Sequence, residues 1–210
     1  MVGHTSTDGR SQRAEAKRQA RRAQMLRAAE ALFSSRGYYA TSVADVIEAA
    51  QVSRGTFYLY FDSKETLFHE LVDEFVARIT SVVRIVDPAA PDPTQQIYEN
   101  IRRVVDVMFD NRELAILVLR QAAGVDPRID DKIDGLHRFM HEMVAGALAN
   151  GATWGITRPV NDRIVATALV GSVSQVFLQY GASQEVDVAG REAIARALFD
   201  LCLRGLLANR

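Results

Sequence analysis

Four side chains within seven residues carry hydrogen-bond donors: Arg54, Thr56, Tyr58 and Tyr60. The first two flank Gly55, which has no side chain. Guanidinium and hydroxyl groups can donate to phosphate oxygens and to base edges, and a glycine lets a duplex come close. The pattern therefore indicates a surface that could bind nucleic acid.

Two short helices and a tight turn are predicted to position these donors. The first helix repeats apolar residues at the i, i+3, i+4, i+7 spacing of one face: Val43, Val46, Ile47 and Ala50. Thr41 or Ser42 can cap its start, Gln51 and Val52 make the turn, and Ser53 caps the second helix. This helix-turn-helix layout is typical of a head that reads DNA.

The aromatic residues that follow separate into two kinds. Phe57 and Phe61 can pack inward, whereas Tyr58 and Tyr60 can bury their rings and still present hydroxyl groups to phosphate. Lys64 starts the next predicted helix and adds a cation.

The stretch from residue 41 to 67 resembles the N-terminal domain of the TetR/AcrR family of bacterial transcriptional regulators. The family pattern of Thr, Ile-Ala, Ala-Gly-Val-Ser, Gly-x-x-Tyr-x-Tyr-Phe and Lys-x-x-Leu is matched at most positions, and Ala29, Leu32, Phe33, Gly37 and Tyr38 match the preceding helix and turn. Ile47 replaces the usual alanine, and Gln51 replaces the usual turn glycine. A left-handed Gln51 would cost about 1 kcal/mol.

The resemblance implies a set of DNA-contacting residues, with the hydroxyl of Thr41 or Ser42 holding a phosphate. The set is Thr41, Ser42, Ser53, Arg54, Gly55, Thr56, Tyr58, Tyr60 and Lys64. It also implies a homodimer, because family members usually pair through their last two helices.

Charge is divided unevenly along the chain. Residues 1–64 hold ten Lys or Arg against six Asp or Glu, a net +4, and residues 65–210 hold fifteen against twenty, a net −5. Seven of the cations, between Arg10 and Arg27, crowd one stretch ahead of the motif. A basic run is often only a solvated helix face, but this position favours phosphate binding.

Composition limits the remaining possibilities. The 210 residues are 48% apolar and 24% charged, which suits a folded chain with one or two cores. We expect no export signal and no membrane-spanning helix, and the single cysteine, Cys202, agrees with a cytoplasmic protein.

Apolar periodicity predicts helices throughout, so we expect an all-α protein. The expected helices cover about 20–35, the two motif helices, 63–85, 97–109, 114–123, 126–149, 160–180 and 188–207. We predict a disordered basic arm over 1–17, a DNA-binding domain over 18–64 and a helical ligand-binding and dimerisation domain over 65–210.

The last two helices combine small and bulky residues. Such a pair either packs within one chain or forms a two-fold interface, and we expect the interface because the head needs a partner. The residues assigned to it are Gly171, Phe177, Phe199 and Leu203.

The body is expected to hold a pocket for a mainly apolar or aromatic molecule. The candidates mix adaptable apolar groups with a few polar ones: Met108, Phe109, Leu117, Gln121, His137, Met140, His141 and Trp154. Core packing would explain most of them equally well.

Catalysis lacks candidates in this sequence. His137 and His141 have the i, i+4 spacing of a shared metal, but no HExxH order, Gly-x-Ser-x-Gly elbow or phosphate-binding loop accompanies them. We therefore predict no catalytic residues, no metal and no cofactor.

The sequence as a whole predicts a homodimeric repressor that binds a palindromic operator and is released by a small effector. Its expected partners are double-stranded DNA, the effector and a second copy of the chain. Two alternatives stay open: an effector-independent architectural DNA-binding protein, and a small-molecule carrier with a vestigial head.

Overall fold

The computed structural model describes residues 6–121, 124–181 and 186–206, and within them it contains helices and no β-strand. The helices are α1 (Ser6–Arg36), α2 (Val43–Ala49), α3 (Arg54–Tyr58), α4 (Lys64–Val82), α5 (Pro93–Asp110), α6 (Arg112–Gln121), α7 (Pro127–Thr153), α8 (Asp162–Gly181) and α9 (Val188–Leu206). The prediction of an all-α fold is confirmed.

Two compact units divide the chain, Met1–Leu71 and Val72–Arg210. The division falls inside α4, seven residues after the boundary predicted at residue 64. We describe the first unit as the head and the second as the body.

Helix α1 is longer than predicted. It spans 31 residues from Ser6, so residues 6–17 are helical and the expected disordered arm is wrong over that range. The reason is local, since Ala, Arg, Gln, Glu and Lys dominate the segment and are strong helix formers. Residues 1–5 lie outside the described part of the chain.

The core of the head is aromatic. Phe33, Phe57, Phe61 and Phe68 are fully buried, and the rings of Phe33 and Phe68 meet edge to face with centroids 5.5 Å apart. Such pairs add about 0.5–1.5 kcal/mol beyond the area they bury. This ring contact packs α1 against α4.

The turn between α2 and α3 is fixed by caps and by one unusual residue. Gln51, which replaces the usual turn glycine, has a φ of 50°, in the left-handed region. Ser53 caps α3 by accepting a hydrogen bond from the Thr56 amide at 3.0 Å. Gln24 of α1 donates to the Ala50 carbonyl at 2.7 Å and ties this turn to the rest of the head.

In the body, α5 packs mainly against α9, and α7 packs mainly against α8. A proline-rich segment lies between α4 and α5, and Asp92 caps α5 with Pro93 at its first position. Tyr98 of α5 packs edge to face on Phe199 of α9 with ring centroids 5.3 Å apart.

Most residues of helix α8 are at least partly exposed to solvent in the single chain. It alone among the described helices is long and apolar enough to cross a membrane by length and composition, which the sequence interpretation did not anticipate. Its most apolar window has a mean hydropathy of 1.3, and only 17% of that window is buried. The same composition suits a helix that packs against another protein surface.

Candidate nucleic-acid interface

Helix α3 presents three rows of side chains, because successive residues turn by about 100° around a helix axis. Phe57 is fully buried and fixes the inward side. Gly55 and Leu59 lie opposite it on an exposed central row. Arg54 and Tyr58 flank this row on one side, and the third row is the pair Thr56 and Tyr60.

The row of Arg54 faces a cleft beside α2. The cleft has a volume of about 530 Å³ and is lined by Ser42, Val43, Ala44, Ile47, Glu48, Gln51, Val52 and Arg54. The Arg54 guanidinium lies 5.7 Å from the centre of the Tyr58 ring. This contact steadies the arginine while it leaves the donors on its edge available to a ligand.

The row of Thr56 and Tyr60 faces a second groove, which lies beside α1. It has a volume of about 950 Å³, and its other lining residues are Ala14, Lys17, Arg18, Ala20, Arg21, Gln24 and Leu59. Three cations of α1 therefore lie beside the exposed face of α3. A phosphate-binding role was predicted for these cations, but not their place, since the residues that line this groove are far apart in the sequence.

Gly55 is not required by the fold. Among the described atoms, a Cβ built there meets only Ser53 Oγ, at 3.9 Å. The backbone of Gly55 is not in the left-handed region that favours glycine. An alanine would fit and would favour the helix by about 1 kcal/mol. The missing side chain is therefore consistent with close approach of a large ligand.

Ser42 and Thr41 have different roles, and this resolves the alternative left open by the sequence. Ser42 is exposed and caps α2, and its backbone amide donates a hydrogen bond to the Asp45 carboxylate at 2.7 Å. The hydrogen bonds from Ser42 hold the pKa of Asp45 below its usual range. Thr41 is only 1% exposed and donates its hydroxyl to the Gly37 carbonyl at 2.9 Å, so its assignment as a DNA contact is wrong.

Lys64 also makes internal contacts. Its ammonium group donates to the carbonyls of Tyr38 and Thr41, each at 2.9 Å, and lies 4.1 Å from the centre of the Tyr38 ring. Two of its three donors are used in this way. We therefore revise Lys64 from a phosphate contact to a residue that holds the turn before α2 against the start of α4.

The remaining DNA candidates are brought together on the exposed side of the head. The hydroxyl groups of Ser53 and Thr56 hydrogen-bond to each other, with their oxygens 2.8 Å apart. Both side chains therefore stabilise the start of α3. Tyr58 is exposed and Tyr60 half-buried, as expected for rings that present a hydroxyl group. The set that remains is Ser42, Ser53, Arg54, Gly55, Thr56, Tyr58 and Tyr60.

The candidate pocket residues of the body are distributed unevenly. Met108, Phe109 and Leu117 are buried, and the rings of His137 and His141 stack with centroids 6.3 Å apart. Met140 is half-buried on the same helix. No group of three or more metal-binding side chains occurs in the described residues.

Two further pocket candidates stand apart. Trp154 is 41% exposed at the C-terminal cap of α7, so it does not line a dry interior pocket of the single chain. The side chain of Gln121 lies outside the described part of the structure.

The candidate interface residues also separate. Gly171 is exposed and half-buried Phe199 packs on Tyr98, whereas Phe177 is only 2% exposed and packs edge to face on Phe109 with centroids 5.2 Å apart. Phe177 is therefore a core residue of one chain, and its assignment to the interface is wrong. The side chain of Leu203 lies outside the described residues.

Comparison with known proteins agrees with both units. Residues 25–71 match the family model "Bacterial regulatory proteins, tetR family", and residues 90–206 match "Tetracyclin repressor-like, C-terminal domain". The second match alone covers more than half of the chain.

Individual relatives align with most of this chain. The chain is 25% identical to the uncharacterised HTH-type regulator YhgD of Bacillus subtilis, over 88% of this chain and 96% of that one. It is 29% identical to the HTH-type transcriptional repressor KstR of Mycobacterium tuberculosis, over 70% and 69% of the two chains.

A solved structure extends the comparison to the fold. The ketosteroid transcriptional regulator KstR2 of M. tuberculosis superposes with a TM-score of 0.76 at 20% identity, covering 90% of this chain and 96% of that one. Its fold, the two family matches and the exposed recognition surface of the head agree. The protein is therefore a member of the TetR family of DNA-binding transcriptional regulators, and not an enzyme.

Proposed function

We propose that the protein is a homodimeric repressor that binds a two-fold operator and releases it when a small molecule occupies the body. The observation that carries the proposal is the exposed face of α3, which has a cleft on each side. A major groove is bounded by two sugar-phosphate backbones. One backbone can be met by Ser42 and Arg54 on one side of α3. The other backbone can be met by the cations on the opposite side, Lys17, Arg18 and Arg21.

Dimer formation is supported by two exposed stripes in the body. On α8 the stripe contains Ile164, Ala168 and Gly171, and on α9 it contains Ala193, Ala197 and Leu201. Ile164 and Leu201 are 67% and 64% exposed in the single chain. Among the described residues, nothing lies within 4 Å of a Cβ built on Gly171, so a partner helix has room to approach.

A two-fold dimer follows from these stripes because identical surfaces can cover each other. The two recognition helices would then bind half-sites about one DNA turn apart, roughly 34–36 Å, or a multiple of that distance. A single short α3 would not give enough contact for a specific site.

Effector binding is supported by the chemistry of the body helices. Met108 and Leu117 are buried, and half-buried His137, Met140 and His141 add polar and adaptable groups on α7. A mainly apolar or aromatic molecule suits this combination. Its release of DNA requires only that it favour a spacing of the heads that misfits the operator.

The test combines operator selection with ligand screening. A randomised duplex pool is enriched on the purified protein, and apolar and aromatic compounds are screened for a rise in melting temperature. A compound that binds should weaken the selected operator, and the operator should weaken the compound by the same factor. A compound that binds the body tightly and leaves operator affinity unchanged contradicts the proposed release.

A further inference from the structure

Leu59 is an exposed aliphatic side chain at the centre of the recognition surface. It is 77% exposed, although it directly follows α3 and its amide still bonds back to the helix. It lies four residues after Gly55, so the two share the central row opposite buried Phe57. The described residues of the head therefore leave most of this side chain uncovered.

The surroundings of Leu59 make it the apolar part of a polar face. Arg54 and Tyr58 carry polar groups on one side of it, and Thr56 and Tyr60 carry hydroxyl groups on the other. An exposed leucine elsewhere on a protein needs no explanation. Here it lies on the row that a duplex must approach, next to a glycine that the fold does not require.

The major groove offers one apolar group to such a side chain. Adenine, guanine and cytosine present hydrogen-bond donors and acceptors there, whereas thymine also presents its C5-methyl group. A leucine placed against any other base edge would remove water from a polar atom without replacing its hydrogen bond. The side chain therefore gains most at a thymine.

We propose that Leu59 selects a thymine in each operator half-site by packing on the C5-methyl group. This inference rests on the proposed placement of α3 in the major groove and deepens it by naming a base and the residue that reads it. Leu59 acts here on specificity, while the flanking cations act on phosphate.

The test removes the methyl group alone. Each thymine of a duplex selected by the wild-type protein is replaced in turn by deoxyuridine, symmetrically in both half-sites. At one position the wild-type protein should lose about fourfold in affinity per half-site, the effect of one buried methyl group. Leu59→Ala should bind the thymine duplex more weakly by a similar factor and should not respond to the deoxyuridine at that position.

Two controls separate this role from a structural one. Leu59→Ala should keep the melting temperature of the wild-type protein, since the side chain is exposed. Ile85→Ala removes another exposed aliphatic side chain, 85% accessible and outside α3, and should leave the deoxyuridine response unchanged.

The outcomes distinguish this inference from the proposed function. If the wild-type protein enriches no duplex, the proposed function fails and the inference fails with it. If it binds a selected operator tightly but responds to no deoxyuridine, or if Leu59→Ala keeps the full response, only the role of Leu59 is overturned.

Discussion

Gly55 gives the sharpest residue-level prediction, because the fold and DNA binding make opposite demands on it. Gly55→Ala should keep or raise the melting temperature, since a methyl group fits and alanine favours a helix by about 1 kcal/mol. Operator affinity should fall at least tenfold, because the methyl group holds the duplex away from the donors that flank it. Thermal melting and fluorescence anisotropy measure the two effects, and unchanged affinity would contradict the close approach.

Lys64 tests whether an ammonium group acts within the head or on DNA. Lys64→Met keeps the length of the side chain but leaves the Tyr38 and Thr41 carbonyls without this donor. Hydrogen bonds to charged groups contribute about 1.5–3 kcal/mol, reduced here because Lys64 is only half-buried. The head should melt earlier, while the salt dependence of operator binding should keep its slope.

Arg18→Gln is the matched control for Lys64. Arg18 lines the groove beside α3, and its loss should reduce the log-log salt slope by about 0.9, the value for one phosphate contact, without a change in melting temperature. The assignment of Lys64 is wrong if Lys64→Met lowers the slope in the same way.

Residues in local motifs could be predicted from the sequence, and those in long-range contacts could not. The cap at Ser53 depends on a few neighbouring residues and appears as predicted. The choice between Thr41 and Ser42 depends on the path of the turn, which buries one hydroxyl against Gly37. Lys64 bonds to carbonyls more than twenty residues away, which no spacing rule reveals.

At the scale of elements, the long α1 gives its cations fixed positions. Its 31 residues extend roughly 46 Å, so Lys17 and Arg18 are held beside α3 by a rigid helix. Ala16→Pro removes a helical hydrogen bond and kinks the backbone, and it should weaken operator binding without any change in charge. Ala16→Ser is the control, and its operator affinity in a filter-binding titration should match that of the wild-type protein.

The result for Ala16→Pro distinguishes a helix from a flexible arm. A flexible basic arm would reach phosphate with or without the proline, so equal affinity of Ala16→Pro and Ala16→Ser would show that helical order does not matter. Weaker binding by the proline variant alone would support the fixed groove.

The role of the exposed stripe of α8 in dimer formation can be tested by placing a charged side chain at Gly171. Gly171→Glu adds a side chain whose Cβ meets no atom of the described part of the chain within 4 Å, so the monomer should fold normally. In a two-fold interface the same carboxylate would be buried without a partner and should dissociate the dimer. Sedimentation velocity should therefore show a monomer.

Gly146→Glu is the matched control, because Gly146 is equally open and lies on α7. It should remain dimeric at the same concentration. A Gly171→Glu protein that is folded and fully dimeric would move the interface away from α8.

Periodicity predicted most of the elements but not their partners. The body helices lie close to the positions expected from their apolar stripes, and the break before α5 follows from its prolines. Phe177 shows the limit of this reasoning. Its spacing on α8 suits an interface or a core equally, and only the position of Phe109 on α5 decides for the core.

Across the whole molecule, the uneven distribution of charge along the chain agrees with DNA binding by the head and with the proposed effector binding and dimerisation by the body. The positive part of the chain carries the recognition surface, and the negative part carries the exposed apolar stripes and the candidate pocket. A carboxylate-rich body repels DNA, which favours the head as the place of contact. The alternatives of an architectural protein and a carrier remain distinguishable by operator selection and ligand screening.

The central claim is that two copies of the head read one two-fold operator. Its most direct test compares the selected operator with a duplex of equal length in which one half-site is scrambled, with the chains in each complex counted by native mass spectrometry. We expect two chains on the intact operator and a loss of more than about a hundredfold in affinity on the scrambled duplex, since each mismatched base pair costs about 1–3 kcal/mol. Equal affinity for both duplexes, with one chain bound to each, would contradict it.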